Sequence, residues 1–179
     1  IGTGQDTSFS GSLFRFINPS YSKREHIVDG AGALHAAGRW HSLGAVRLSY
    51  TATSPQTALA EALAQANYYN LPLSRALPRV LVALRLEARR VLDLRLGEVR
   101  RILRLSAATM QKTDWRAENQ QGREAITQAW GQAFSAVGFE AVIVPSAANA
   151  TGVNVVVFPD NMQSGSRFEV ESEVIWPVS

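Results

Sequence analysis

The stretch QGREAITQAWGQAFSAVGFEAVIVPSAANATGVNVVVF, residues 121–158, decides the fold class, because a helical pattern is followed directly by two apolar runs. Gly138 stands where a helix commonly ends in a left-handed residue, which predicts a helix over about 121–137. The runs 141–144 and 153–158 are typical of buried strands. The predicted apolar face of the helix consists of four residues at helical spacing: Ile126, Trp130, Phe134 and Val137.

Outward from this stretch, strands and helices follow one another without strict alternation. Residues 1–12 are rich in Gly, Ser and Thr and have no periodicity, so we expect a flexible lead-in followed by one domain over 13–179. The mixture favours a single mixed α+β domain over a doubly wound parallel one. Further strands are predicted at 13–17, 46–51, 80–86, 90–94 and 168–176, and further helices at 55–70 and 97–105.

The helix over 55–70 has a defined start and a defined phase. Ser54 supplies an N-cap and Pro55 a first-turn proline. A core-facing stripe is predicted for Leu59, Leu63 and Ala66, which lie one turn apart. Glu61 lies about 200° from Leu59 at about 100° per residue, so it points away from that stripe.

Composition excludes several classes of protein. The chain has 179 residues, 46% of them hydrophobic, which suits one globular domain. Because it has no cysteine, disulfide scaffolds, thiolate zinc sites, iron–sulfur clusters and a cysteine nucleophile are excluded. No membrane span or signal peptide is visible, so we expect a soluble, cytoplasmic protein without membrane contacts.

The net charge of +3 is unevenly placed. Seven arginines and three acids between Arg85 and Arg104 give this segment a charge of +4, while the remainder carries −1. Such a segment can contact nucleic acid or an acidic partner. The commoner explanation is the solvated face of a strand and a helix.

The common catalytic and nucleotide-binding motifs are absent from the sequence or incomplete in it. Gly30-Ala31-Gly32 lacks the third glycine of a dinucleotide fingerprint and does not follow a strand, and no Gly-x-x-x-x-Gly-Lys occurs. His26, His35 and His41 fall in one loop region without His-Glu-x-x-His spacing, so no metal site is predicted. A triad built on Ser146 is a minor alternative, since the Gly-x-Ser-x-Gly elbow is missing.

Five polar residues at the ends of predicted elements remain as a candidate cleft. Each alone has an ordinary explanation as a surface charge, a strand aromatic or a turn residue. Their order along the chain is what distinguishes them. They are Arg15, Arg39, Tyr50, Glu61 and Ser146.

The order and spacing of these residues resemble the RES domain family, over roughly residues 13–159. Tyr50 follows Arg39 by eleven residues and Glu61 follows Tyr50 by eleven. His41 stands where the family often has Asn, a departure that bears on whatever hydrogen bond that Asn makes. The matching pieces are Leu13-Phe14-Arg15, Gly38-Arg39-Trp40, Tyr50, Ala58-Leu59-Ala60-Glu61, residues 138–146 and residues 154–159.

The resemblance implies a fold similar to that of ADP-ribosyltransferases and a chemistry that consumes NAD as substrate. Well-known family members are toxins of bacterial toxin–antitoxin pairs with Xre-type antitoxins. It further implies a homodimer, an antitoxin partner and contact with nucleic acid only through that antitoxin. Some members release nicotinamide and use phosphate or water as the acceptor of ADP-ribose, whereas others modify a protein.

Each of the five residues suits that chemistry. Arg15 and Arg39 are expected to bind the pyrophosphate or an incoming phosphate, because guanidinium offers paired donors to phosphate oxygens. Glu61 is expected to hold a ribose hydroxyl and stabilise the cation that develops as the nicotinamide–ribose bond breaks. Tyr50 is expected to stack on nicotinamide, and Ser146 to hydrogen-bond ribose or the nicotinamide amide.

Three hypotheses stay open at this point. The first is a toxin enzyme that degrades NAD by phosphorolysis or hydrolysis. The second is a protein mono-ADP-ribosyltransferase on the same scaffold. The third is a non-enzymatic nucleic-acid or partner-binding module that uses the segment Arg85 to Arg104.

Overall fold

A computed structural model describes residues 6–21, 23–72, 74, 76–77 and 79–176. In this described part, six strands form one sheet in the order β1-β2-β5-β4-β3-β6, and β1 also pairs with β3. The five pairings β1–β2, β2–β5, β5–β4, β4–β3 and β3–β1 therefore close on themselves, with β6 added on β3. Only β3–β4 is parallel. The strands are β1 Asp6–Ile17, β2 Ser49–Ala52, β3 Arg79–Asp93, β4 Ala141–Pro145, β5 Val153–Val157 and β6 Arg167–Trp176.

The predicted lead-in over 1–12 is wrong from residue 6 onward, and residues 1–5 lie outside the described part. β1 begins at Asp6, and its pairing with β3 runs from Asp6 opposite Leu92 to Ile17 opposite Val80. Phe9 packs against one of the core clusters. Glycine is depleted in strands, but a full ladder with a distant partner outweighs that preference here.

The central strand β3 replaces two predicted strands. Buried and half-buried residues alternate from Arg79 to Ala88, without the predicted break between 86 and 90. Arg85 and Glu87 fall on the less buried side of this alternation, so the charged stretch is compatible with a continuous strand. β2 is shorter than predicted and begins only at Ser49.

The last strand is present where predicted, but its apolar residues do not all share one face. The pairing register with β3 shifts between Ala83 and Leu84, opposite Ser172 and Val170. Phe168 packs with Val170 in one core cluster, whereas Trp176 packs against another, beside Phe16. A bulge of this kind moves the following side chains to the opposite face.

Within the described residues, six α-helices accompany the sheet. The segment 106–120, for which the sequence predicts no element, forms α4 and α5, and the helix predicted from about 121 begins at Ile126. Gly138 is its left-handed C-terminal residue, as predicted. The helices are α1 Arg24–Val28, α2 Pro55–Tyr68, α3 Gly97–Leu103, α4 Ala107–Lys112, α5 Trp115–Gln120 and α6 Ile126–Val137. No described helix is long and apolar enough to cross a membrane.

The predicted apolar face of α6 is wrong at both ends. Ile126 is 50% exposed and Val137 39% exposed, whereas Phe134 is fully buried and Trp130 packs beside it. The face that α6 buries contains Thr127, Gln128, Gly131 and Phe134. Polar and small residues occupy this face because the chain around Trp40 packs against it.

The start of α2 is confirmed. Ser54 Oγ accepts from Thr57 N at 3.2 Å, which is an N-cap, and Pro55 is the first helical residue. Leu59 and Ala66 face the core as predicted, but Leu63 lines a cleft.

Candidate functional site

A cleft of about 690 Å³ runs along α2, between this helix and the strands β1 and β2. Its walls include Arg15, Arg39, Tyr50 and Glu61, so the structure brings together four of the five predicted residues. The fifth, Ser146, is buried directly behind Glu61. Elements far apart in sequence thus converge here: β1, the loop before β2, β2, α2 and the end of β4.

The carboxylate of Glu61 is held at one oxygen only. Ser146 Oγ and Asn154 Nδ2 each donate to Glu61 Oε1 at 2.6 Å. Among the described residues Oε2 has no hydrogen-bond partner, and Glu61 lines the cleft. The side chain is therefore fixed in direction while its second oxygen can accept from a ligand.

Ser146 acts on Glu61 rather than on the open cleft. Its hydroxyl donates to Glu61 and accepts from the backbone N–H groups of Ala148 at 3.1 Å and Asn149 at 3.0 Å. These three bonds use the hydroxyl fully. The geometry favours a positioning role over the direct ligand contact that the sequence predicts.

Tyr50 presents its ring to the cleft and its hydroxyl to the protein. The hydroxyl accepts from Trp40 N at 2.8 Å and lies 3.0 Å from His41 Nδ1. Since His41 Nε2 lies 2.8 Å from the carbonyl of Ala36, Nε2 carries the hydrogen and Nδ1 accepts from Tyr50. Burial raises the pKa of Tyr50 well above its usual range, against opposing effects of the Trp40 N–H and the Arg39 charge, so the phenol stays neutral.

His41, the departure from the family pattern, is thus a structural partner of Tyr50. Burial lowers its pKa, although hydrogen bonds to the backbone at Ala36 and Ala33 act in the opposite direction. A neutral imidazole is the form that can accept from Tyr50 and donate to Ala36 at once.

The loop Gly38–His41 fits against α6 with almost no free space. A Cβ on Gly131 would lie 1.8 Å from the carbonyl oxygen of Trp40, and one on Gly38 would lie 2.5 Å from the hydroxyl of Tyr50. Gln128, which is fully buried, donates through Nε2 to the carbonyls of Gly38 at 3.0 Å and His41 at 3.1 Å. These contacts fix the position of Arg39 within the loop.

Arg39 is anchored by half of its guanidinium. Nη1 donates to the carbonyls of Met110 at 3.0 Å and Thr113 at 2.8 Å, at the end of α4. Burial lowers the pKa of Arg39, and the Glu61 charge counteracts this; an arginine remains charged in either case. Within the described chain Nε and Nη2 make no hydrogen bond, so they can donate to an anion in the cleft.

Arg15 is anchored in a similar way. Its Nη1 donates to Ser49 Oγ at 2.7 Å and to the carbonyl of Ile27 at 3.3 Å. Burial lowers the pKa of Arg15, and the charge of Asp29 opposes the change. The cleft therefore combines the anchored side chains of Arg15 and Arg39 with the oriented carboxylate of Glu61.

Comparison with known proteins now adds to this geometry. A family model, the RES domain, matches residues 12–178. The chain belongs to the RES domain family. A solved structure, the M. tuberculosis MbcT-MbcA toxin–antitoxin complex, contains a chain similar to this RES domain with a TM-score of 0.75 and 21% identity, over 95% of this chain and 86% of that one. No curated protein matches it. The family resemblance and the single mixed α+β fold similar to ADP-ribosyltransferases are confirmed.

The arginine-rich segment of the RES domain uses much of its charge internally. Arg95 binds both carboxylate oxygens of Asp93, and Arg100 donates to the carbonyls of Leu94 and Arg95. Arg85 bonds Glu87 and Ser10, and Arg90 bonds the carbonyl of Val137 while lying over the ring of Phe139. This favours a structural explanation over a nucleic-acid surface. In the described parts of the chain, no group of three or more His, Cys, Asp or Glu residues is placed to hold a metal ion.

Sequence reasoning missed three residues that shape the site. Asn154 is a lone polar residue in the apolar run of β5, which is a signal that could have found it. Gln128 lies two residues from both Ile126 and Trp130 of the predicted apolar face and gives no such signal. Arg116, on α5, lines the cleft and belongs to a segment without a predicted element.

Proposed function

We propose that this RES domain cleaves the bond between nicotinamide and ribose in NAD, with phosphate or water as acceptor. The observation that carries the proposal is the carboxylate of Glu61, fixed at one oxygen by Ser146 and Asn154, in a cleft whose walls also include Arg39 and Arg15. Fixed charges of opposite sign are what the charge distribution of this reaction requires.

The reaction separates charge along the substrate. The bond from ribose C1′ to nicotinamide N1 breaks with its electron pair leaving on neutral nicotinamide, so positive charge develops on the ribose. Oε2 of Glu61 can accept from a ribose hydroxyl and stabilise that charge. An oxygen of phosphate or water then bonds to C1′, and the proton that it loses passes to solvent. Arg39 and Arg15 bind the negative pyrophosphate or an incoming phosphate.

The other residues position these groups. The ring of Tyr50 forms part of the cleft wall and suits stacking on the cationic nicotinamide. Ser146 and Asn154 hold Glu61, and His41 holds Tyr50. No metal is required, because the developing cation is stabilised by a carboxylate.

We also propose that the protein acts as the toxin of a toxin–antitoxin pair. The support is family membership and the fold shared with a chain of the MbcT-MbcA toxin–antitoxin complex. An antitoxin of the Xre type that occupies the cleft is the simplest way to silence the enzyme. The homodimer remains a prediction from the family resemblance, and the cytoplasmic location remains a prediction from the sequence.

Phosphorus NMR of NAD incubated with the purified protein tests the enzymatic proposal. We expect loss of NAD with wild type and with Glu169→Gln, an exposed strand position matched in charge, and no loss with Glu61→Gln. A product with a third phosphorus signal, formed only in phosphate buffer, identifies phosphorolysis, and ADP-ribose in every buffer identifies hydrolysis.

Intact NAD in every wild-type tube, with and without phosphate, contradicts the proposal. Transfer of label from NAD to a lysate protein then tests the protein ADP-ribosyltransferase alternative, which uses the same residues.

A further inference from the structure

A second recess opens beside the main cleft. Its volume is about 200 Å³, and it is formed by the segment 111–116 together with Arg39 and Tyr68. Arg39, Tyr68, Trp115 and Arg116 line both cavities, so the recess is continuous with the cleft. A group bound there can belong to a ligand that also reaches Glu61.

Arg116 is held in place without being neutralised. Its guanidinium carbon lies 4.3 Å from the ring centre of Trp115 and 4.8 Å from that of Tyr68. Among the described residues its guanidinium has neither a hydrogen bond nor a carboxylate within salt-bridge distance. Stacking on two rings restricts the side chain while it leaves the N–H donors available.

The nearest acid in this segment is already occupied. Asp114 accepts from the hydroxyl of Tyr68 at 2.9 Å and from the backbone N–H of Ala117 at 3.0 Å. Lys112 also lines the recess. The recess therefore holds three cationic side chains and one carboxylate whose oxygens bond other groups.

Arg39 and Arg116 repel one another across this space. Burial is the main cause that lowers the pKa of Arg39, and the nearby charge of Arg116 acts in the same direction. The carbonyls of Met110 and Thr113 hold Arg39, and two aromatic rings hold Arg116. An anion bound between the two guanidinium groups would reduce their repulsion.

We propose that this recess is a phosphate-binding site in which Arg116 and Arg39 donate to a phosphate or diphosphate group. The inference deepens the proposed function and rests on it for the source of the group, which is either the diphosphate of the dinucleotide or the inorganic phosphate that accepts the ribose. The chemistry of recognition is the same in both cases.

Calorimetric binding of three probes tests the site: inorganic pyrophosphate, inorganic phosphate and ADP-ribose. We expect Arg116→Gln to weaken at least one of them by about tenfold or more, since charge-assisted hydrogen bonds are lost. Arg116→Lys keeps the charge but loses the planar guanidinium, so its affinity for that probe should lie between those of wild type and Arg116→Gln. The matched control is Arg101→Gln on α3, an exposed arginine that lines neither cavity, and it should bind like wild type.

The pattern identifies the source of the phosphate. If Arg116→Gln binds ADP-ribose more weakly and inorganic phosphate as tightly as wild type, the site belongs to the dinucleotide. A higher KM for NAD leads to the same assignment. If the variant binds inorganic phosphate more weakly, with a higher KM for phosphate and an unchanged KM for NAD, the site belongs to the phosphate acceptor. A merely structural role of Arg116 would lower the melting temperature without separating these constants.

Equal affinities of wild type, Arg116→Gln and Arg116→Lys for all three probes overturn the proposal, and so does a wild-type protein that binds none of them. If pyrophosphate binds through Arg116 while NAD remains intact in every assay, the anion site stands and the proposed NAD cleavage fails.

Discussion

Gly131→Ala is the substitution for which the structure predicts the largest effect from the smallest change. The added methyl would lie 1.8 Å from the carbonyl oxygen of Trp40, whereas such contacts are essentially never shorter than 3.0 Å. The loop Gly38–His41 must therefore move away from α6 by at least about 1 Å. This movement stretches both hydrogen bonds from Gln128 to the loop.

The magnitude follows from three contributions. Overpacking costs about 1–3 kcal/mol, and two weakened hydrogen bonds cost about 1 kcal/mol each. Better helix propensity of Ala returns about 1 kcal/mol. We expect the free energy of unfolding to fall by about 2–4 kcal/mol, which a domain of this size can survive. Because Arg39 lies in the displaced loop, activity on NAD should fall by about a hundredfold even in the folded fraction.

Urea denaturation and nicotinamide release measure the two effects. The matched control is Gly97→Ala, at the first residue of α3, where the nearest atom to the added methyl is Arg100 Nη2 at 3.8 Å. It should be neutral or slightly stabilising. A Gly131→Ala protein as stable and as active as wild type would refute the packing of this loop on α6.

Three further predictions test single contacts. Ser146→Ala should lower kcat on NAD about tenfold or more with little change in KM, because it loosens Glu61; a raised KM with unchanged kcat would instead indicate direct contact with the substrate. Glu140→Gln should lower the free energy of unfolding by about 2–4 kcal/mol in urea titrations, since the buried carboxylate accepts from the N–H groups of Arg89, Arg90 and Gln163, and a change below about 0.5 kcal/mol would contradict this. For His41 the lowered pKa means that the unfolded chain takes up the proton first, so stability should fall as pH drops below about 6.5, by up to about 1.4 kcal/mol per pH unit. His41→Asn should flatten this part of the profile, and identical profiles for both proteins would exclude the effect.

Local signals were enough for α2 and for the direction of Glu61. Ser54 and Pro55 determine where the helix begins, and about 100° per residue then determines which side Glu61 occupies. The same periodicity was misleading in α6, because part of the surface that α6 covers is the loop Gly38–His41, whose carbonyls accept from Gln128. Gln128 is buried for a hydrogen-bonding reason that hydrophobic periodicity does not detect.

Contacts between distant segments account for the other differences. β1 extends to Asp6 because β3 supplies partners for its backbone, which no property of residues 6–12 alone reveals. The five predicted site residues came from order and spacing in a family pattern, whereas the recess around Arg116 depends on how α5 packs beside α2. Asn154 was visible as a polar residue in an apolar strand, but its partner Glu61 lies 93 residues away.

The central claim is that Glu61 stabilises the transition state of nicotinamide release, and its most direct test compares binding with turnover in one variant. NAD affinity by calorimetry and nicotinamide release should be measured for wild type, Glu61→Gln and Glu169→Gln. We predict that Glu61→Gln binds NAD within a few-fold of wild type and releases nicotinamide at least about a hundredfold more slowly. Turnover by Glu61→Gln at the wild-type rate would contradict the account.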